Sequence, residues 1–301
     1  LIDAAAACGC EYYVIDAGWY APGEWWDSVG EWKECRDRFP NGIKEVTDYI
    51  HKKGMVPGVW LELEVMGINC EKAKKAPDDW FFVRHGKRVY DRSRYQLDFR
   101  NPAVIEHVNE VIDRVVKEYG VGYIKMDYNI EPGIGTEIGA ESVGQGLLEH
   151  EKAYLNWLDG VFARYPDLVI ENCSSGGLRM DYALLSRYSI QSASDQEDYR
   201  NFATIAANSP AGVTPEQAAI WSYPMRQGDK EEVIYNMVNA MLFRIHQSGH
   251  LAELPQERLA LVKEGIACYK TIRQDIRQAL PFWPLDIADN EDLWVCGGLQ
   301  L

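Results

Sequence analysis

Short, unbroken apolar runs alternate with amphipathic segments of helical period along nearly the whole chain, and this alternation restricts the fold more than any other feature. "EYYVIDAGW" reads as a strand, "GIKEVTDYIHKKG" as an amphipathic helix ending at Gly54, and "MVPGVWLELE" as a second strand. "NPAVIEHVNEVIDRVVKEYG" then reads as a helix, with Asn101 as its cap, Pro102 at the first helical position and Gly120 as its stop. Strand "VGYIKMDYN", helix "GLLEHEKAYLNWLDGVFARYP", strand "DLVIENC", helix "GLRMDYALLSRY" and strand "SIQSASD" continue the pattern. A less regular "DYRNFATIAANSPAGVTP" follows, and helices around "EEVIYNMVNAMLFRI" and "PQERLALVKEGIACYKTIRQDIRQAL" complete it. Continuous apolar strands between amphipathic helices indicate a parallel sheet covered by helices.

A doubly wound nucleotide fold should place a Gly-rich turn after its first strand, and no G-x-G-x-x-G or Walker lysine stands in such a context. Polar residues instead recur where strands end: Asp16 with Trp19, Trp60 with Glu62, Lys125 with Asp127, Glu171 with Cys173, and Asp195. A barrel builds its site from such strand ends. The expected fold is therefore a (β/α)8 TIM barrel of about seven visible strands, lacking its first strand. "LIDAAAACGC" reads as the second half of a helix already under way, and "DLWVCGGLQL" as the opening strand of a further module. The expected division is a catalytic barrel over 1–284 and the start of a C-terminal β-rich domain over 285–301, in a piece of a longer protein.

With 46 acidic against 31 basic residues the net charge is -15, which repels phosphate backbones and anionic lipid surfaces. No apolar run approaches the roughly 18 to 20 residues that span a bilayer, and no basic start precedes an apolar core. Seven cysteines without C-x-x-C pairs point away from a zinc site and from a disulfide framework, and a reducing cytoplasm is the expected location.

Lys125 and Asp127 raise the question of chemistry. A K-x-D triplet can be a surface ion pair just beyond a strand. Residues two apart on a strand also point to one side, which at a barrel mouth puts ammonium and carboxylate together and keeps the carboxylate ionised, as a nucleophile requires. "QSASDQEDYRN" supplies a second carboxylate in Asp195 or Asp198, unless the stretch serves only as a helix cap. One ionised and one protonated carboxylate are what glycoside hydrolysis uses.

"YIKMDYN", "CSSGGLRMDYALL" and "SDQEDYRN", in that order and separation, resemble the catalytic barrel of glycoside hydrolase family 36, the α-galactosidases, in the clan shared with family 27. "YYVIDAGWY", "FPNGIKEVTDYIHKKGMVPGVWLELE" and "SRYQLDFRNPAV" extend the resemblance, which runs from about Cys8 to Pro284. It implies a retaining α-galactosidase that removes terminal α-D-galactosyl residues by double displacement, with Asp127 as nucleophile and Asp195 as acid/base. It also implies sugar contacts from Lys125 around O3 and O4, from Asn129 beside the nucleophile, and from Trp60 and Arg94 as aromatic wall and arginine of the same subsite. Asp16 falls on the carboxylate that grips the O4/O6 edge, Cys173 with Gly176 and Gly177 on the loop against the 2-position, and Asp198 on a second candidate near the acid. No metal or organic cofactor is implied.

Taken singly, several of these residues keep a structural reading: Trp60 as core, Cys173 as a small buried thiol, Arg94 as a solvated loop charge, Gly176 and Gly177 as a turn. The aromatic loop "WYAPGEWWDSVGEW" reads equally as a sugar-stacking rim of Trp19, Trp25, Trp26 and Trp32 or as packing under the barrel lip. Two departures stand out. Ala17 replaces the second of two adjacent aspartates usual in the family, leaving the O4/O6 grip weaker or rebuilt by a group such as Glu62, and Met126 replaces a tryptophan that strand alternation turns away from the cavity. These leave α-N-acetylgalactosaminidase and raffinose-type transglycosylase as alternatives. A metal-dependent sugar isomerase or a non-catalytic carbohydrate-binding barrel is the alternative of another class, and the six scattered histidines disfavour the first. The expected partner is an α-galactoside oligosaccharide, with no nucleic acid or membrane, and a homo-oligomer would be built through domains beyond this stretch.

Overall fold

The computed structural model describes residues 1–301. The chain forms two compact units, one of Val14–Lys52 with Val56–Ile170, the other of Leu1–Tyr13, Lys53–Met55 and Glu171–Leu301. No helix is long and apolar enough to cross a membrane. All seven cysteines are free.

In the first unit the strand Val56–Leu61 lies beside the end of Tyr12–Ile15 and pairs in parallel with Tyr123–Met126, with Trp60 opposite Lys125. Both are buried almost throughout, as expected of parallel strands covered on two faces. Gly58 permits the close fit: a Cβ there would stand 2.9 Å from a Val14 methyl and 3.0 Å from Tyr123 Cβ. Helix Ile43–Lys52 buries Ile43, Thr47 and Ile50, one face at spacings of four and three, and the Thr47 hydroxyl donates to the Tyr119 carbonyl at 2.6 Å. Helix Pro102–Asp113 begins as its sequence dictates, with Asn101 accepting from the Ala103 N–H and Pro102 in the first turn. It passes into a π-helical turn over Arg114–Glu118 before Gly120 at φ 71° ends it.

A small antiparallel sheet of Val65–Gly67, Arg94–Gln96 and Tyr90–Asp91 stands where the sequence shows no periodicity. It matters because it moves Arg94 from a solvated loop, the reading its neighbours suggest, into a fully buried strand position.

In the second unit the strands Val169–Asn172, Ile190–Ser192, Ala218–Ser222 and Arg244–Gln247 follow one another in parallel. The last two depart from the sequence reading. "DYRNFATIAANSPAGVTP" supplies the regular helix Tyr199–Asn208, and the helix read through "EEVIYNMVNAMLFRI" stops at Ala240, after which Arg244–Gln247 is a strand. Apolar residues run on without a break there, so periodicity cannot mark the change. Helix Gln256–Ile276 packs with Ile2–Cys8 and Lys230–Ala240 around Cys8, Val233, Met237, Val262 and Ile266. Gly265 lets the backbones approach, since a Cβ would lie 2.7 Å from Met237 Cε. Near the end of the chain, Gly298–Gln300 pairs antiparallel with Leu280–Phe282.

Candidate active site

Asp127 follows directly on its strand, and the ladder continues through it, since the Asp127 N–H donates to the Leu61 carbonyl at 2.7 Å. The residue is 9 % exposed. Its Oδ2 accepts from the Trp60 indole N–H at 3.0 Å and its Oδ1 from the Tyr128 N–H at 2.8 Å. Both oxygens are thereby aimed, which fixes a carboxylate in one rotamer.

Lys125 stands two residues earlier, nearly buried, and its ammonium donates to Asp16 Oδ2 at 3.1 Å. Asp16 is the open end of this pair, with its side chain 58 % exposed, and its Oδ1 accepts from the Ala17 N–H at 2.7 Å. The sequence pointed to Asp127 as the neighbour of the lysine charge; the geometry adds Asp16 as an ion-pair partner of the lysine.

Glu62 and Arg94 are both fully buried. Arg94 Nη1 donates to Glu62 Oε2, Nη2 donates to the Asn129 carbonyl at 2.9 Å, and Glu62 Oε1 accepts from the Asn129 N–H at 2.6 Å. The Trp26 ring covers the guanidinium at 3.6 Å, and Arg94 Nε has no hydrogen-bond partner. Burial pushes the Glu62 carboxyl up to about 7, with Arg94 pulling it down and Asp127 adding a push upward. Both Glu62 oxygens are engaged inside the protein, so this side chain does not stand in for the aspartate replaced by Ala17.

The aromatic loop divides between its two readings. Trp19 and Trp32 are buried, and the Trp19 indole N–H donates to the Trp60 carbonyl at 2.9 Å. Tyr20 stacks on Trp60 at 6.0 Å. Trp25 is 37 % exposed and meets Trp60 edge to face at 5.7 Å. The loop is pinned where Gly67 meets it: a Cβ there would stand 2.0 Å from the Asp27 carbonyl oxygen.

In the second unit Cys173 is buried after the strand Val169–Asn172. Gly176, at φ 84°, lies against the chain leading to Asp195, and a Cβ on it would be 2.7 Å from the Asp195 amide nitrogen. A Cβ on Gly177 would be 2.5 Å from the Ala193 carbonyl oxygen. These glycines therefore seat the backbone that presents Asp195, which is exposed. The helix cap is not the Asp or Ser before "QEDY" but Asp198, whose Oδ1 accepts from the Arg200 N–H at 2.8 Å at the start of Tyr199–Asn208. Deeper in the unit, His246 Nδ1 lies 3.7 Å from Glu171 Oε1. No group of three or more His, Cys, Asp and Glu side chains is gathered at metal-holding geometry.

Sequence reasoning passed over Trp26 as a cover for Arg94 and the two-sided hold of Glu62 and Arg94 on Asn129. Contacts across strands of two and three residues leave no spacing to read.

A family model described as melibiase matches residues 1–279. Among curated proteins, α-galactosidase AgaA of Geobacillus stearothermophilus is 31 % identical over 189 residues, covering 60 % of this chain and 25 % of that one. α-Galactosidase Mel36A of Lactobacillus acidophilus is 29 % identical over 184 residues, again 60 % of this chain and 25 % of the relative. A crystal structure of the Geobacillus AgaA, named as a GH36 α-galactosidase, superposes with a TM-score of 0.83 at 23 % identity over 94 % of this chain and 40 % of that one. A variant of the same enzyme in complex with raffinose gives 0.85 at 22 % identity over 97 % and 41 %. The strand–helix alternation thus belongs to the fold of GH36 α-galactosidases. The chain spans a quarter of the length of these curated relatives.

Proposed function

The chain belongs to the melibiase family, and from that premise we propose that it carries the catalytic barrel of a retaining α-galactosidase acting on terminal α-D-galactosyl residues of raffinose-type oligosaccharides. The observation that carries this reading is the setting of Asp127, a buried carboxylate at a strand end whose two oxygens are held by the Trp60 and Tyr128 N–H groups. A nucleophile must be ionised and fixed in direction, and this one is fixed by groups that do not titrate.

In the first step Asp127 attacks the anomeric carbon as the bond to the leaving oxygen breaks, and Asp195 gives its proton to that oxygen. The product is a galactosyl ester on Asp127 and a free aglycone. Asp195, now a carboxylate, takes a proton from water as the water oxygen attacks the same carbon, and the ester bond returns its electrons to Asp127. Two inversions leave the anomeric configuration retained. Lys125, Asp16, Asn129, Trp60 and Arg94 line or support the sugar subsite around the nucleophile, and Cys173, Gly176 and Asp198 do so around the acid. The proposal keeps 1–284 as the barrel and 285–301 as the start of a β-rich module, places the protein in the cytoplasm, and leaves self-assembly to further domains.

The test compares turnover of 4-nitrophenyl α-galactoside with that of the N-acetylgalactosaminide by the intact protein, with Asp127→Ala as control. Turnover of the galactoside, release of α-galactose as the first anomer by proton NMR, and an inert Asp127→Ala are expected. Activity surviving in Asp127→Ala would remove Asp127 as nucleophile, and preference for the N-acetylated substrate would move the specificity.

A further inference from the structure

We infer that Glu62 is a positioning residue for catalysis, acting with Arg94 as a two-sided clamp on the Asn129 peptide that sets the direction of the Asp127 carboxylate. The inference rests on the reading of Asp127 as nucleophile.

The segment 127–129 follows directly on the strand Tyr123–Met126, with the Asp127 N–H donating to the Leu61 carbonyl. Each of its residues is held from outside. Asp127 is tied to Trp60, the Tyr128 hydroxyl donates to Gln96 Oε1 at 2.9 Å, and Asn129 is gripped at both its N–H and its carbonyl. Glu62 and Arg94 supply that last grip from two different elements, the end of the Val56–Leu61 strand and the small antiparallel sheet. The ion pair joining them locks the two halves together. Neither side chain is exposed, so the pair gains nothing from solvent and has lost the hydration of two charges. An apolar pair of the same volume would be at least as stable. What the apolar pair could not do is hold both polar groups of a peptide two residues from a reacting carboxylate.

The charged and titratable groups facing Glu62 are Arg94, Asp127 and Tyr20, with Asp91 facing Arg94 from the neighbouring strand. Asp127 pushes the Glu62 carboxyl toward its protonated form, against the pull of Arg94.

The experiment separates charge from geometry in the full-length protein. Glu62→Gln keeps the length and the acceptor for Asn129 but removes the charge; Glu62→Asp keeps the charge and withdraws it by about one bond length. Both are expected to lower kcat for 4-nitrophenyl α-galactoside on the order of 100-fold, the cost of displacing a reacting group by about 1 Å. The inhibition constant for galactose is expected to change by less than about threefold, since Glu62 touches no sugar. Arg94→Lys, which keeps a charge but cannot fork between Glu62 and Asn129, serves as the geometry variant if a Glu62 variant fails to fold, and should show the same fall in kcat.

A wild-type rate in folded Glu62 variants, or a fall in melting temperature alone, overturns the clamp and leaves the proposed function standing. An inert wild type, or an active Asp127→Ala, overturns the proposed function and takes the clamp's catalytic role with it.

Discussion

The indole N–H of Trp60 reaches Asp127 Oδ2 at 3.0 Å although Trp60 stands opposite Lys125, two residues before Asp127, in the parallel pairing. Only a side chain of that length, held from behind by Trp19 through the Trp60 carbonyl and flanked by Tyr20, can span the offset. Trp60→Phe keeps most of the ring and removes the donor. A hydrogen bond to a buried charge contributes about 1.5–3 kcal/mol, so kcat/KM for an aryl α-galactoside is expected to fall between about 10- and 100-fold. Steady-state kinetics beside a thermal melt checks this, and an unchanged kcat/KM would show that the indole only fills space.

Gly176 faces two constraints at once. At φ 84° an L side chain is strained, and its Cβ would press on Ser194 and on the Asp195 amide nitrogen. Gly176→Ala should therefore cost about 1–3 kcal/mol and, by displacing the backbone of the proposed acid, reduce activity as well. Gly144→Ala is the control: it lies in helix Val143–Arg164 with open space around its missing Cβ, and should raise stability by roughly 0.5–1 kcal/mol with activity untouched. Denaturant melts and rates on the two variants decide the matter, and equal stability losses would refute the argument from crowding.

Much of this site was legible in the sequence because it is written in strand ends. Asp127, Lys125 and Trp60 each stand at the end of a clear apolar run, and period-two alternation assigns their side without any coordinates. The cap at Asn101 was legible for the same reason, a short-range hydrogen bond between residues two apart, whereas the cap sought in the Asp or Ser before "QEDY" lies three residues beyond Asp195, at Asp198. The strands Ala218–Ser222 and Arg244–Gln247 were not, since the first is a four-residue apolar run too short to show a period and the second continues the apolar run of the helix before it. Nor was the setting of Arg94, because its burial depends on Glu62, Asn129 and Trp26, at separations of 32, 35 and 68 residues.

His107 ties the start of helix packing to the aromatic loop. Its Nε2 meets the Gly30 carbonyl at 2.8 Å and its Nδ1 meets the Lys72 ammonium at 2.7 Å, so Nδ1 accepts and the ring is neutral with its proton on Nε2. Burial, with Lys72 adding to it, lowers the pKa from 6.5 to about 4. A group depressed in the folded state contributes stability that is complete above its unfolded value and is lost as pH falls through the folded one. The melting temperature should thus decline between about pH 6.5 and pH 4 in the wild type, and less steeply in His107→Gln. Parallel pH–stability curves would contradict this account of the ring.

Trp25 and Trp26 are adjacent in sequence and in contact, at 4.5 Å between rings, yet their surroundings assign them opposite duties. Trp26 covers the Arg94 guanidinium, and truncating it opens the Glu62–Arg94 pair to water. Trp26 is half-buried, so Trp26→Ala should cost about 1–3 kcal/mol, less than a fully buried aromatic, with the lost cation–π contact included. Trp25 presents an exposed face beside Trp60, close to the proposed nucleophile, and aromatic faces of this kind stack on the apolar side of sugar rings. Trp25→Ala should leave the melting temperature within about 2 °C, since less packing is lost at an exposed position. Its KM for raffinose should rise several-fold while KM for 4-nitrophenyl α-galactoside, whose flat aglycone needs no sugar platform, rises less. A stability loss in Trp25→Ala as large as that in Trp26→Ala, with equal effects on both substrates, would return Trp25 to the packing under the loop.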